Sequence, residues 1–169
     1  MRIFSLFLLC FTCAFAAGEL SNRRAPGFSL PENAAKSHDP QDYRGKILIV
    51  DFMQVACPHC DAFSVILEQV KAKYRDKIVV LSIVNPPSDP KAVSEYIAKN
   101  KITTPILFDC GQVTYSYMKP SGPQIIIPHV FLIDEAGVIK NDFGYSPANS
   151  AIFEGKGLFT EIDKMLAPK

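Results

Sequence analysis

Short apolar runs alternate with amphipathic segments through the first two thirds of the chain. The runs at 47–52 and 78–84 are rich in branched residues and predict strands buried on both faces, and 105–108 predicts a third, shorter strand. Between the first two runs, apolar side chains recur at intervals of three and four residues up to Tyr74 and predict an amphipathic helix. A second helix is predicted over 88–100, because a proline falls in its first turn.

The remainder of the chain predicts a hairpin and a last helix. A strand over 125–133, interrupted by Pro128, leads through a turn into a partner strand over 138–143, and the last helix covers 157–166. A helical turn is expected at 113–118. Strands and helices in alternation, followed by a hairpin and a helix, are typical of an α/β domain with a mixed central sheet flanked by helices.

Composition fits one globular domain. The chain has 169 residues, 48% of them hydrophobic and 21% charged, which is enough to build a core without disulfide staples. The formal charge of +1 gives no electrostatic reason to expect nucleic acid or an acidic membrane surface as a partner. We therefore predict no nucleic-acid partner, and a monomer. The polar, proline-containing segment 18–44 predicts an extended lead-in with one short strand at 28–30.

The N-terminal residues have the pattern of a secretory signal peptide. A basic start precedes an apolar run over 3–15, which is too short for a comfortable membrane span, and Ala14 and Ala16 are the small residues that a signal peptidase reads. We expect residues 1–16 to be removed and residues 17–169 to form the domain, exported to the periplasm. An uncleaved segment would leave the protein anchored in the membrane.

Export changes the meaning of the cysteines. Removal of the signal segment leaves Cys57, Cys60 and Cys110, in a compartment where disulfide chemistry is possible. Two cysteines separated by two residues can form a structural disulfide, half of a metal site or a redox couple. An odd count argues against a stapled scaffold, and a disulfide across so short a loop stabilises a fold little. A zinc site would require a second group of ligands, which the sequence lacks.

The position of the pair favours the redox couple. Cys57 falls where a buried strand gives way to a helix, and Pro58 suits the first helical position. The N–H groups and partial positive charge of a helix N-terminus favour a thiolate, so we predict that the pKa of Cys57 lies below about 8.5. Cys60, one turn further on, can attack a mixed disulfide formed by Cys57. Cys57 is therefore the predicted nucleophile and Cys60 the resolving thiol.

Two blocks of sequence resemble the thioredoxin superfamily. Val50-Asp51-Phe52 followed by Cys57-Pro58-His59-Cys60 resembles its strand and active-site pair, and Ile127-Pro128-His129 lies about 70 residues later, where that superfamily has a cis-proline. The lead-in Ala25-Pro26-Gly27-Phe28 narrows the resemblance to exported TlpA/ResA-type redoxins. This resemblance implies a thioredoxin-like fold with an N-terminal extension and a central helix–strand insertion.

The resemblance also implies roles for single residues. Asp51 matches a buried acid beneath the pair that moves a proton to or from Cys60; its alternative is a solvated carboxylate at a strand end. Pro128 would pack in cis beside the cysteines, and the Ile127 backbone would bind a substrate peptide. No cofactor is implied beyond the redox-active disulfide. The implied partners are protein thiols or disulfides and a membrane or periplasmic redox partner.

The direction of exchange stays open. A protonated His59 would stabilise the Cys57 thiolate, and stabilising the reduced form makes a disulfide a stronger oxidant. Pro58-His59 is also the central pair of DsbA-type oxidases, whereas TlpA/ResA-type proteins are more often reductants. The tryptophan usual before the first cysteine is replaced by Ala56, which leaves the partner surface undetermined.

Two other functions are compatible with such a fold. A peroxiredoxin-like peroxidase would have threonine and proline where this chain has Gln54 and Val50. A copper-binding protein is the second, although Sco-type copper chaperones have three residues between their cysteines. Cys110 is expected to be a small, partly buried apolar residue, with a second resolving thiol or an intermolecular link as the alternative. His129 is expected to be a packed or surface histidine and not a catalyst.

Overall fold

A six-stranded mixed sheet forms the centre of the computed structural model, which describes residues 18, 20–32, 36–120 and 124–168. The predicted signal peptide lies outside these residues. The strands of this sheet are β1 Arg23–Arg24, β4 Ile47–Met53, β5 Ile78–Val84, β6 Ile106–Phe108, β7 His129–Ile133 and β8 Val138–Gly144. Strands β2 Leu30–Pro31 and β3 Ser37–His38 pair in a separate two-stranded sheet. The helices are α1 Pro58–Tyr74, α2 Pro90–Asn100, α3 Gln112–Met118, α4 Ser150–Phe153 and α5 Lys156–Leu166.

The order of the strands is β1-β8-β7-β4-β5-β6. Strands β4, β5 and β6 are parallel, whereas β7 runs antiparallel to β4, and β8 antiparallel to β7. The register pairs Asp51 with Ser82 on β5 and with Val130 on β7. The end of β4 therefore lies beside the start of β7, and the chain segments that follow β4 and precede β7 meet at one edge of the sheet.

The core fills both faces of the sheet. All seven residues of β4 are buried, as expected for a central strand covered on two sides. Alternate side chains of β4 pack on opposite faces: Val50 and Phe52 join Tyr117 of α3, while Ile47 and Ile49 join α1, α4 and α5. The mixed sheet and its flanking helices confirm the predicted α/β class.

Local sequence signals match the starts of α2 and β5. Asp89 caps α2 by accepting a hydrogen bond from the Ala92 N–H at 2.8 Å, and Pro90 occupies the first helical position. The predicted strand over 78–84 matches β5 residue for residue.

Three sequence-based assignments need correction. The strand predicted over 125–133 begins only at His129, because Pro128 has no N–H to donate to a neighbouring strand. The short strand expected at 28–30 lies at Leu30–Pro31. The helical turn at 113–118 is a helix of seven residues, α3, and β1, β3 and α4 were not predicted.

Candidate active site

The carboxyl ends of the parallel strands converge on the cysteine pair. Cys57 follows β4, Asn85 follows β5 and Cys110 follows β6, and all three line one groove together with Ile125 and Ile127. Crevices at the carboxyl ends of parallel strands are the usual binding sites of open α/β sheets. The groove is therefore the candidate active site.

Cys57 and Cys60 are joined by a disulfide, with their Cα atoms 5.2 Å apart. Cys57 is the N-cap of α1 and is half-buried, whereas Cys60 is 1% exposed. The Cys60 N–H donates a hydrogen bond to the Cys57 sulfur at 3.2 Å. A free N–H group at the first turn of a helix stabilises a thiolate when the disulfide is open. The reachable sulfur is thus the one that the helix can stabilise as an anion.

Asp51 is a buried carboxyl group on the α1 side of the sheet. It is 1% exposed, Oδ2 accepts a hydrogen bond from the Ser82 hydroxyl at 3.3 Å, and Oδ1 has no hydrogen-bond partner among the residues that the structure describes. Burial raises the pKa of this carboxyl from 3.8 to about 7, although the Ser82 hydrogen bond opposes the shift. The alternative of a solvated carboxylate at a strand end is therefore wrong.

A buried hydroxyl pair holds the backbone at the second cysteine, and sequence analysis missed it. The Ser64 hydroxyl donates to the Cys60 carbonyl at 2.9 Å, the Tyr96 hydroxyl donates to the Ser64 oxygen, and the Tyr96 oxygen lies 3.3 Å from the same carbonyl. Burial raises the pKa of Tyr96 to about 12. The hydrogen bond with Ser64 opposes this shift, and the negative charges of Asp61 and Asp51 add to it. The network ties α2 to the first turn of α1.

The Ile127–Pro128 peptide bond is cis, and Pro128 is buried directly before β7. Ile127 is half-buried and packs against the same apolar cluster as Cys57 and Cys60. The residues before it, Ile125 and Ile126, are exposed. The segment 125–127 therefore forms an apolar rim on the groove that begins at Cys57.

His59 is exposed, and its ring stacks on Tyr145 with centroids 4.1 Å apart and planes 24° apart. Pro58 is exposed at the first helical position. Tyr145 is a contact that sequence reasoning missed, because it lies 86 residues from His59 in a stretch without any recognised motif.

His129 is buried and pairs with Asp142 on β8, Nε2 to Oδ2 at 3.4 Å, while its ring stacks on Phe131. Burial would raise the pKa of Asp142, but hydrogen bonds from His129, Ser21 and the Leu20 N–H outweigh it and lower that pKa. His129 is thus a packed histidine that fixes β7 to β8 directly after Pro128.

Cys110 is exposed, so the expected partly buried residue is wrong. Asp109 before it is buried and accepts hydrogen bonds from the N–H groups of Val113 and Thr114, at 3.1 and 2.8 Å. These bonds hold the start of α3 against Asp109 and leave Cys110 facing the groove that Cys57 also lines.

The described residues 18, 20–32, 36–120 and 124–168 contain no group of three or more His, Cys, Asp or Glu side chains arranged to hold a metal ion. Within the same ranges, no helix combines the length and the apolar character needed to cross a membrane.

The chain is similar in sequence to proteins named as thioredoxin-like or as thiol-disulfide oxidoreductases. Thioredoxin-like protein YneN of Bacillus subtilis is 26% identical over 126 residues, which cover 73% of this chain and 71% of YneN. Thiol-disulfide oxidoreductase ResA of Geobacillus kaustophilus is 29% identical over 117 residues, 69% of this chain and 64% of ResA. The match thus spans slightly less than two thirds of the ResA protein.

A solved structure shows the same fold. A Chlorobium tepidum protein, provisionally assigned as the thiol:disulfide interchange protein DsbE, superposes with a TM-score of 0.73 at 23% identity and covers 87% of this chain and 98% of its own. The predicted thioredoxin-like fold and the resemblance to ResA-type redoxins are confirmed. The family model described as Redoxin matches residues 20–150, and the chain therefore belongs to the Redoxin family.

Proposed function

We propose that this chain is a thiol–disulfide oxidoreductase that exchanges disulfides with protein substrates through Cys57 and Cys60. The observation that supports it is the asymmetry of the pair: a half-buried Cys57 at a helix N-terminus is bonded to a fully buried Cys60. Only one sulfur can then be reached by a protein substrate. ResA, one of the relatives, is named for the same class of reaction.

The exchange consists of two substitutions at sulfur. A substrate thiolate attacks the Cys57 sulfur, the Cys57–Cys60 bond breaks, and Cys60 leaves as a thiolate that takes up one proton. A second substrate thiolate then attacks the substrate sulfur of the mixed disulfide and releases Cys57 as a thiolate. The substrate is oxidised by two electrons and the pair is reduced by two. The same steps in reverse reduce a substrate disulfide.

Asp51 is the proposed proton carrier for Cys60. It lies on the same face of β4 as Met53, which packs in one cluster with Cys60. With a pKa of about 7, the carboxyl exists in both protonation states near neutral pH and can give or take the proton that Cys60 exchanges.

The Cys57 end of the groove is the proposed binding site for the substrate backbone. The substrate would lie along Ile127 and Pro128, beside the reachable sulfur. The groove lining contains amide, hydroxyl, thiol and apolar groups but, among the described residues, no charged side chain. Substrate segments of low charge around the reacting cysteine are therefore expected to exchange fastest.

Single cysteine variants test the function. In an insulin-reduction assay and in the oxidation of a reduced dicysteine peptide, Cys57→Ser should abolish turnover. Cys60→Ser should accumulate a substrate joined to Cys57, detectable by mass spectrometry. Cys110→Ser removes a thiol but keeps the pair, so this variant should still turn over and should form the Cys57–Cys60 disulfide. Full turnover by Cys57→Ser would contradict the proposal.

Two further measurements separate the alternatives. Rapid consumption of peroxide would indicate a peroxidase, and stoichiometric uptake of Cu(I) without insulin reduction would indicate a copper protein. The direction of exchange follows from the reduction potential of the pair: a value near about −270 mV indicates a reductant and one near about −120 mV an oxidant.

We propose a monomer. We further propose that residues 1–16 direct export and are then removed, which would place the domain in the periplasm. The sequence pattern of a basic start, an apolar run and small residues at 14 and 16 supports this. N-terminal sequencing of the exported protein should begin at residue 17 or 18, and a protein that retains Met1 would contradict it.

A further inference from the structure

We propose that Tyr145 is a positioning residue of the redox site, whose ring fixes the orientation of the His59 imidazole within the Cys57-Pro58-His59-Cys60 motif. This inference rests on the proposed exchange reaction. His59 stands between the two cysteines on the first turn of α1, and its side chain is exposed. An exposed imidazole without a partner samples several rotamers, so a ring stacked on it at 4.1 Å restricts where its N–H groups point.

The Tyr145 ring also packs against other aromatic side chains, which fix its position. It packs edge to face on Phe153 of α4 at 5.3 Å, and Phe153 packs on Phe63 of α1 at 4.8 Å. Phe153 and Phe63 are both buried. Phe63 lies one turn after Cys60 on α1. The contacts from Tyr145 through Phe153 to Phe63 therefore connect Tyr145 to the helix that bears the redox pair. The orientation of Tyr145 is therefore fixed relative to Cys57 and Cys60 through buried groups.

The backbone of Tyr145 holds the other half of the site. Its N–H donates a hydrogen bond to the Pro128 carbonyl at 3.0 Å, immediately after β8. One residue therefore contacts the central histidine of the motif with its ring and the cis-proline segment with its backbone. Because every replacement except proline keeps the N–H, substitutions of Tyr145 keep this backbone hydrogen bond and change only the ring contacts, those with His59 and Phe153.

The consequence concerns the balance between thiolate and disulfide. An imidazole held near Cys57 stabilises the thiolate, as a cation or as an N–H donor, only while it points toward the sulfur. Loss of the aromatic face frees the imidazole to rotate away, which destabilises the reduced pair relative to the disulfide. The pair then becomes more reducing. The expected size is roughly two- to fivefold in the equilibrium constant with glutathione, as for a partly exposed charge interaction.

The test is a double-mutant cycle on the full chain with glutathione redox buffers. Tyr145→Leu should shift the equilibrium constant with glutathione roughly two- to fivefold toward the disulfide. Tyr145→Phe keeps the aromatic face and should behave as wild type. His59→Ala should cause a shift of its own, and Tyr145→Leu should add nothing in that background, because its effect passes through the imidazole. Tyr115→Leu, the same change at a 62% exposed tyrosine, is the matched control.

Two results would overturn the inference: a wild-type equilibrium constant in Tyr145→Leu, or an undiminished shift when His59 is already alanine. Circular dichroism checks folding, and Tyr145→Gln, which also lacks an aromatic face, takes the place of a leucine variant that does not fold. Failure of the proposed function looks different, since the wild-type pair would then exchange with no protein substrate. If the wild-type protein exchanges normally and Tyr145→Leu has the wild-type equilibrium constant, only the positioning role is rejected.

Discussion

Replacement of Asp51 by asparagine is expected to remove a pH-dependent loss of stability. The carboxyl is 1% exposed, and burial raises its pKa from 3.8 to about 7. At about 1.4 kcal/mol for each tenfold change in proton affinity, the folded protein disfavours the ionised form by about 4 kcal/mol. Asparagine has nearly the same shape and no charge, so it avoids this cost at every pH.

The sign of the pH dependence follows from the two proton affinities. Below about pH 4, the folded and unfolded chains both bind the proton, and stability is unaffected. Between about pH 4 and 7 the unfolded chain releases the proton while the folded chain keeps it, so the stability of the wild type falls as the pH rises. Above about pH 7 the loss is complete. From pH 5 to pH 8, the asparagine variant should therefore gain about 2.5 kcal/mol relative to wild type.

Urea unfolding of the disulfide-bonded forms at pH 5 and pH 8 measures this difference directly. Asp76→Asn is the matched control, because Asp76 is an exposed carboxyl in the turn after α1. It should keep the pH dependence of the wild type. If Asp51→Asn also kept it, Asp51 would have to be ionised in the folded protein without penalty, and the argument from burial would be refuted.

Three other expectations concern single groups. The rate at which iodoacetamide alkylates Cys57 of the reduced protein should rise with pH, with a midpoint well below about pH 8.5. A midpoint near pH 8.5 would show that the helix N-terminus does not stabilise the thiolate. When the oxidised protein is treated with iodoacetamide, peptide mapping should find Cys110 alkylated and Cys57 and Cys60 unmodified, because these two are joined by a disulfide. Glu68→Gln should lower the free energy of unfolding by about 1–3 kcal/mol at pH 7, because Glu68 accepts hydrogen bonds from the backbone and hydroxyls of Thr103 and Thr104. Burial alone would raise the pKa of Glu68, but these bonds lower it, so its contribution is present above about pH 4.5 and disappears as the pH falls through the lower folded value.

Local signals made the parallel part of the fold predictable. The run 78–84, apolar except for Ser82, has polar residues on both sides, and the Asp-Pro pair at the start of α2 supplies a cap and a first helical residue. Strand β1 was not predictable in this way, since its two arginines are ordered by pairing with Val138 and Ile139 more than 110 residues away. Ile125 and Ile126 led to the opposite error: an apolar run suggested a strand, but both residues lie before β7 and their side chains are exposed beside the groove.

The same distinction separates the parts of the site. The cysteine pair, Asp51 and Pro128 stand in recognisable local patterns, and the sequence was sufficient to nominate them. Tyr145, Tyr96 and Ser64 act through contacts between residues 32 to 86 positions apart, and a tyrosine or serine at those places has no sequence signature. The exposed Cys110 was also missed, because a lone cysteine is usually buried and only the fixed position of Asp109 turns it outward.

These tertiary contacts also explain why the four-residue motif does not determine the direction of exchange. The reduction potential measures the stability of the dithiol against the disulfide, and three features of this site would act on it, two in one direction and one in the other. We expect the helix N-terminus to stabilise a thiolate at Cys57, and we propose that an oriented His59 does the same; both effects would favour the reduced pair. An ionised Asp51 on the α1 side opposes a second negative charge at Cys60 and favours the disulfide. The balance depends on how firmly Tyr145 holds the imidazole and on how far Asp51 is ionised, and neither quantity is written in Cys57-Pro58-His59-Cys60.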